Sequence, residues 1–280
     1  MTEKIQFYQI NLNKCWGAQA NLMVELAKSK VKHFVCLIQE PHFYGSKPSC
    51  IDRKYMQVLH GKGLKKLWPR AMIVASKDLK LSPIGALPSR DTTCVNLHNS
   101  REELVICSSY QDIESPEVIN NIDKCVEHAK SINKEIIIGA DSNSHSQLWM
   151  SKSANSRGEV FEDFIALNNL FVCNIGNKYT YDCALGKSII DITIVSTPTV
   201  DRIRKWKVHD EDYLSDHKLI SYELDCHKEP PRVSRSYKKA NWSYFKTLLS
   251  QKTWENPPKF WSKHTIELES TKLGMISSKL

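Results

Sequence analysis

"EIIIGADSNSHSQLW", residues 135–149, starts as an apolar run and ends as a polar one. Ile136, Ile137 and Ile138 are β-branched and are followed at once by Gly139, a pattern that predicts a strand. If that strand runs on past Ile138, side chains two apart share a face, so Asp141, Asn143 and His145 point the same way from one edge. Such an edge is either a polar strand end in water or part of a reaction site.

Similar runs recur along the chain at 5–13 (IQFYQINLN), 33–40 (HFVCLIQE), 70–76 (RAMIVAS), 92–98 (TTCVNLH), 103–110 (ELVICSSY), 188–196 (SIIDITIVS) and 219–225 (LISYELD). Each is rich in Val, Ile, Tyr, Phe or Thr and predicts a strand. Helices are expected at 18–30, at 115–131 behind a Ser-Pro start, and at 156–170, where Ser156 and Glu159 have capping-box spacing. Strands follow one another without helices between 70 and 110, so the order fits mixed α and β with antiparallel meanders better than a regular βαβ chain.

The bulk properties are those of a globular protein: 280 residues, 41% hydrophobic and 25% charged. The first residues lack a signal-peptide pattern and no window approaches the ~18 apolar residues of a membrane span, so a soluble intracellular protein is expected. Nine scattered cysteines, with no Cys-x-x-Cys pair, predict free thiols in a reducing compartment, several of them small core residues. Charge is uneven. From Cys226 onward there are 11 Lys/Arg against 4 Glu, or +7 of the total +8. The segment "CHKEPPRVSRSYKK" (226–239) reads as a linker, and the expected boundary falls between a domain at 1–225 and a basic region at 226–280. A basic tail suits a polyanion or simply a solvated surface. The same two readings apply to Lys62, Lys65, Lys66 and Arg70 in "GKGLKKLWPR", with a solvated loop preferred.

The polar residues at strand ends share one explanation. Asn11 closes the first strand, Glu40 the second, Tyr110 a middle strand, and Asp141 and Asn143 the Ile-rich one; Asp191 lies inside "SIIDITI", and Ser215, Asp216 and His217 precede the last strand. A carboxylate among isoleucines is costly unless paired. Hard oxygen donors such as Glu40 suit Mg²⁺, which is typically held by one or two carboxylates and substrate phosphate. Asp141 is suited to activating a water, His217 to contacting or protonating a phosphate oxygen, and Asn11 and Asn143 to holding non-bridging oxygens. Phosphodiester hydrolysis fits this inventory.

In order, "QINLN" (Asn11), "IQEP" (Glu40), "SSY" (Tyr110), "GADSNSHSQLW" (Asp141, Asn143), "YTYD" (Thr180), "IIDITI" (Asp191) and "SDH" (Asp216, His217) resemble the motifs of the endonuclease/exonuclease/phosphatase superfamily. The likeness covers about residues 4–225. "QINLNK", "QEP" and "D-x-N-x-H-S-x-L-W" look narrower still, like the endonuclease domain of non-LTR (LINE-type) retrotransposon polyproteins of the R1-like and jockey-like kind. The resemblance implies a DNase-I-like four-layer αββα sandwich with the site along one edge. It implies a Mg²⁺-dependent (alternatively Mn²⁺-dependent) endonuclease acting in the nucleus. The enzyme would nick one strand of double-stranded DNA to leave a 3′-hydroxyl primer for a reverse transcriptase that the chain lacks. Element RNA enters through the full-length polyprotein, and the isolated domain is expected to be a monomer without membrane contact.

Carried over by motif, Glu40 binds the metal with Asn11 beside it, and Asp141 positions or deprotonates the attacking water. Asn143 and Tyr110 contact the scissile phosphate, Asp191 supports the metal and leaving group, and Asp216 orients His217. Thr180 and Ser215, with Asn143, are expected at the substrate. Alternatives of the same fold are an abasic-site repair nuclease, an RNA deadenylase or a lipid phosphatase, and of another class a DNA-binding module without activity. The chain departs from the resemblance in "GADSN" where many relatives have an aromatic after the aspartate, and in lacking a proline after Tyr110. His145 and Trp149 mark the retrotransposon branch, and structural roles are expected for both.

Overall fold

The computed structural model describes residues 4–29, 31–61, 67–85, 89–98, 102–119 and 121–227, within the compact unit Met1–Pro230. The region expected to be a basic linker lies, from 228 on, outside the described residues, as do Lys62, Lys65 and Lys66. The elements run β1 (Lys4–Asn11), α1 (Trp16–Lys28), β2 (Phe34–Gln39), β3 (Phe43–Tyr44), β4 (Lys47–Pro48), β5 (Met56–His60), β6 (Ala71–Ser76), β7 (Leu81–Pro83), β8 (Thr92–His98) and β9 (Glu103–Tyr110). They continue α2 (Ile122–Ser131), β10 (Glu135–Asp141), α3 (Ser156–Leu167), β11 (Leu170–Val172), β12 (Tyr181–Cys183), β13 (Gly186–Ser188), β14 (Asp191–Ser196), β15 (Ile203–Val208) and β16 (Ile220–Asp225).

Two six-stranded sheets form, in the orders β15-β16-β1-β2-β6-β5 and β11-β14-β10-β9-β8-β7. Side-chain alternation decides which residues fill which layer. Ile5, Phe7, Val35, Leu37 and Ile73 of the first sheet meet Leu104, Ile106, Ile137 and Val195 of the second. The opposite face of the first sheet buries Ile10, Cys36, Ile38 and Val74 against Leu22 and Leu26 of α1. The opposite face of the second buries Val105, Cys107, Ile136 and Ile138 against Val126 of α2 and Phe161 of α3. The result is the expected αββα sandwich.

Every strand run read from the sequence is present, and all nine cysteines are free, six of them buried. Local boundaries differ. The second helix starts at Ile122 behind Asn121, whose backbone is left-handed (φ 60°), and not at Ser115-Pro116. The cap of α3 is Asn155, whose side chain accepts from the Gly158 amide, rather than Ser156, which is the first helical residue. Asn155 has the extended backbone and short accepting side chain of a helix N-cap. The strands β5, β7, β11 and β15 carry weaker alternation and are defined by their partners in the sheets.

Candidate active site

Continuing the inward-facing register toward the C-terminal ends of the central strands replaces hydrocarbon with polar groups. Gln9 follows Ile5 and Phe7, Gln39 follows Val35 and Leu37, Ser108 follows Leu104 and Ile106, and Thr193 faces the same layer. These amides and hydroxyls are fully buried and bond across the sheets to one another and to backbone carbonyls, with Gln39 Oε1 left without a partner among the described residues. Gln9 Nε2 donates to the carbonyls of Ala140 (3.3 Å) and Ile192 (3.2 Å), and Gln39 Nε2 to Ser108 Oγ (3.1 Å) and the Gly139 carbonyl (3.1 Å). Buried polar groups need such partners. Gly139 leaves the room: a Cβ there would lie 2.6 Å from Leu37 Cδ1 and 2.9 Å from Gln9 Oε1.

One step further along the same faces stand Asn11, Tyr110, Asp141 and Asp191. Asp141 is in register with Asp191 on one side and Tyr110 on the other. Asn11 Nδ2 reaches across from the first sheet to donate to Asp141 Oδ2 at 2.8 Å. His217 Nδ1 lies 2.9 Å from Asp191 Oδ2, and its Nε2 4.0 Å from Asp141 Oδ2. The ring of Tyr181 covers His217 with centroids 4.9 Å apart. Glu40, almost buried, is ion-paired with exposed Lys14 at 2.8 Å. Sequence reasoning gave no role to Lys14 or Tyr181, although both lie inside quoted motifs, "QINLNK" and "YTYD".

Several backbone conformations here are left-handed: Asn13 (φ 46°), Lys14 (55°), Glu40 (45°), Asn143 (45°) and Leu214 (59°). Non-glycine residues in this region cost energy and concentrate at functional sites. At Asn143 the conformation ends the alternation seen in the sequence. The strand stops at Asp141, so Asp141, Asn143 and His145 are not three teeth of one strand face. Asn143 instead turns its amide to the Gln111 carbonyl (2.9 Å) and its backbone N–H to Asp141 Oδ1 (3.3 Å). His145 and Asn155 exchange bonds, N–H to Oδ1 and N–H to O, both at 3.1 Å, which fastens the loop to the start of α3. Trp149 is fully buried with its ring edge-on to Phe161.

Other expected site residues occupy different posts. The carboxylate on His217 Nδ1 belongs to Asp191, not to Asp216, because adjacent residues diverge and only a residue from another strand can face the ring. Asp216 accepts from Asn13 Nδ2 at 3.4 Å and, through its carbonyl, from the Asp182 amide. Thr180 is fully buried, and its hydroxyl oxygen accepts the amides of Ile190 (3.1 Å) and Asp191 (3.0 Å), so it fixes Asp191. Ser215 donates to the Asn11 carbonyl (2.7 Å) and accepts the His217 amide (3.2 Å), tying the last loop to β1. Arg70 is no solvated-loop residue; its side chain is buried and ion-paired with Asp91 and Asp112.

Burial and the neighbouring Asp191 charge push Asp141 up to about 7. Burial opposes the charged form of His217, but the charge and hydrogen bond of Asp191, with Asp141 and Glu40 behind them, raise its pKa to about 9. Asp141, Asp191 and His217 bring donor atoms within 4.8 Å of one another. Glu40 stands outside that trio but close enough for its charge to act on His217 and Tyr110. Asp191 Oδ1 is buried without a partner among the described residues. An orphaned carboxylate oxygen in an oxygen-rich pocket with Asp141 and Glu40 fits a hard divalent cation.

An αββα sandwich with carboxylates gathered at one end is the DNase-I-like arrangement of the endonuclease/exonuclease/phosphatase fold. The profile of the family described as Endonuclease-reverse transcriptase matches residues 104–221. Among solved structures, the AP endonuclease LMAP from Leishmania major shares the fold at 10% identity, with a TM-score of 0.59 over 79% of this chain and 88% of its own. More similar is the endonuclease domain of TRAS1, a telomere-specific non-LTR retrotransposon, at 25% identity and a TM-score of 0.68 over 81% of this chain and all of that one. The putative 115 kDa protein in type-1 retrotransposable element R1DM of Drosophila melanogaster is 24% identical over 277 residues, 92% of this chain and 26% of that protein. The chain thus spans about a quarter of that curated relative. In sequence and fold the chain is thus similar to endonucleases of non-LTR retrotransposons.

No helix among the described residues is long and apolar enough to cross a membrane.

Proposed function

We propose that the chain is a metal-dependent DNA endonuclease that nicks one strand of duplex DNA, leaving a 3′-hydroxyl from which a reverse transcriptase primes. The observation that carries this reading is the convergence of Asp141, Asp191 and His217, from three separate strands or loops, beside Glu40 and Tyr110. Glu40, with Asn11 beside it, would hold the cation, and Mg²⁺ (or Mn²⁺) suits these oxygen donors. A bound divalent ion polarises the phosphoryl oxygen and offsets its developing charge. Asp141, raised toward 7, is poised near neutral pH to take a proton from the attacking water. His217, raised to about 9, carries its charge at neutral pH and donates from Nε2 to a phosphate oxygen while Asp191 holds Nδ1. Asn143 and the Tyr110 hydroxyl contact the scissile phosphate, and Asp216 serves the loop that carries His217. Action on chromosomal DNA puts the working site in the nucleus.

Purified protein, supercoiled plasmid and Mg²⁺ test the reading. Open-circle product is expected, extendable by a polymerase without phosphatase treatment, and reduced about 10²–10⁴-fold in Asp141→Ala and in His217→Ala. Equal nicking by these variants, or cleavage only of duplex containing an abasic site, would overturn it.

A further inference from the structure

The catalytic edge contains one buried cation that the proposed chemistry does not use. Arg70 immediately precedes β6, and its side chain is only 10% exposed. Nε and Nη2 grip Asp91 at 2.5 and 2.8 Å, and Nη1 reaches Asp112 at 2.7 Å. The guanidinium carbon lies 4.6 Å from the centre of the Tyr110 ring. Its backbone is engaged as well: the Arg70 carbonyl accepts the Glu40 amide (2.8 Å), and the Arg70 amide donates to the Arg90 carbonyl (2.6 Å). Asp91 closes the circuit by accepting the Tyr110 amide at 2.8 Å through its own carbonyl.

We propose that Arg70 is a positioning residue, holding the Tyr110 hydroxyl at the phosphate and setting the distance between Tyr110 on the second sheet and Glu40 on the first. The inference rests on the nuclease reading above, because it deepens the role given there to Tyr110. A lone ion pair with Asp91 would need no aromatic partner. Here the guanidinium covers a half-buried ring, so the ring cannot rotate or slide without giving up a cation–π interaction inside a desolvated site. Asp91 and Asp112 in turn fix the guanidinium from two sides, leaving it no alternative position. Lysine cannot reproduce this arrangement, having a point charge in place of a planar fork.

Steady-state nicking by Arg70→Met, Tyr110→Phe and the double variant tests the assignment. Arg70→Met is expected to lower kcat about 10²-fold with KM unchanged, as for displacement of a reacting group. In the Tyr110→Phe background the same substitution should cost less than about 3-fold, because the two residues act as one unit. Arg70→Lys should not rescue. Asp112→Asn, which keeps the Asp91 pair, should show a smaller loss that also disappears in Tyr110→Phe; it serves if Arg70→Met does not fold. Additive losses, or full activity in Arg70→Lys, would overturn the positioning role while leaving the nuclease standing. Full activity in Tyr110→Phe would overturn it too, and absence of nicking by the wild type would bring down the nuclease reading first.

Discussion

His217 has the most legible chemistry of any single residue. Its pKa of about 9 in the fold exceeds the ordinary histidine value of 6.5, so the folded state holds the proton more tightly than the unfolded chain. The resulting stabilisation is fully present below about pH 6.5 and is lost as pH rises through about 9. In metal-free protein, NMR of the imidazole C–H signals should show one histidine titrating near the upper value. Asp191→Asn should lower that midpoint, since burial then acts against only the charges of Asp141 and Glu40. If Asp216→Asn moves it as far, the pairing seen here is wrong. The sequence placed Asp216 beside His217 and invited the opposite assignment. Adjacency along a chain is a poor guide to facing, because successive side chains diverge.

Among the elements, the loop between β10 and α3 shows most clearly how sequence pattern and structure part. Asp141 obeys the strand's period of two; Asn143 and His145, spaced identically, do not, because the backbone leaves the strand at Asp141 and turns left-handed at Asn143. Beyond that turn the loop is an anchor. Trp149 fills the space over Phe161, and Gly158 has no Cβ to strike the His145 carbonyl. Trp149→Ala should destabilise the domain by about 3–5 kcal/mol in chemical denaturation. Gly158→Ala should destabilise it as well, by forcing the loop off the helix; a melting temperature equal to wild type would contradict this packing. At the polar layer below the site, Gly139→Ala should reduce nicking along with stability, since the added methyl pushes Gln9 and Leu37 and with them the strands that carry Asn11 and Gln39.

At the scale of the molecule, the two sheets and their outer helices account for the residues up to 227, while most of the formal charge lies beyond them. Removing 228–280 should weaken DNA binding and flatten its salt dependence. Every phosphate that the tail no longer neutralises would lower the slope of log affinity against log salt by about 0.9. Identical slopes for the two forms, measured by fluorescence anisotropy on a random duplex, would show that the tail's charges do not touch DNA.

The sequence alone determined the strand runs, three helices and the polar character of the strand ends, among them the Asn11, Asp141, Asp191 and His217 that the fold gathers. Those rest on local pattern: period, β-branching, and the cost of a carboxylate such as Asp191 among isoleucines. Which groups meet was decided only by the tertiary structure. Asp141 faces Asp191 because β10 and β14 pair in that register, and Asn11 reaches Asp141 because two sheets stack. Arg70 becomes a buried support for Tyr110, where its sequence neighbourhood of lysines and a proline described a solvated loop. Register and stacking are fixed by the burial of whole faces, and that is a property of the closed sandwich which no single segment carries.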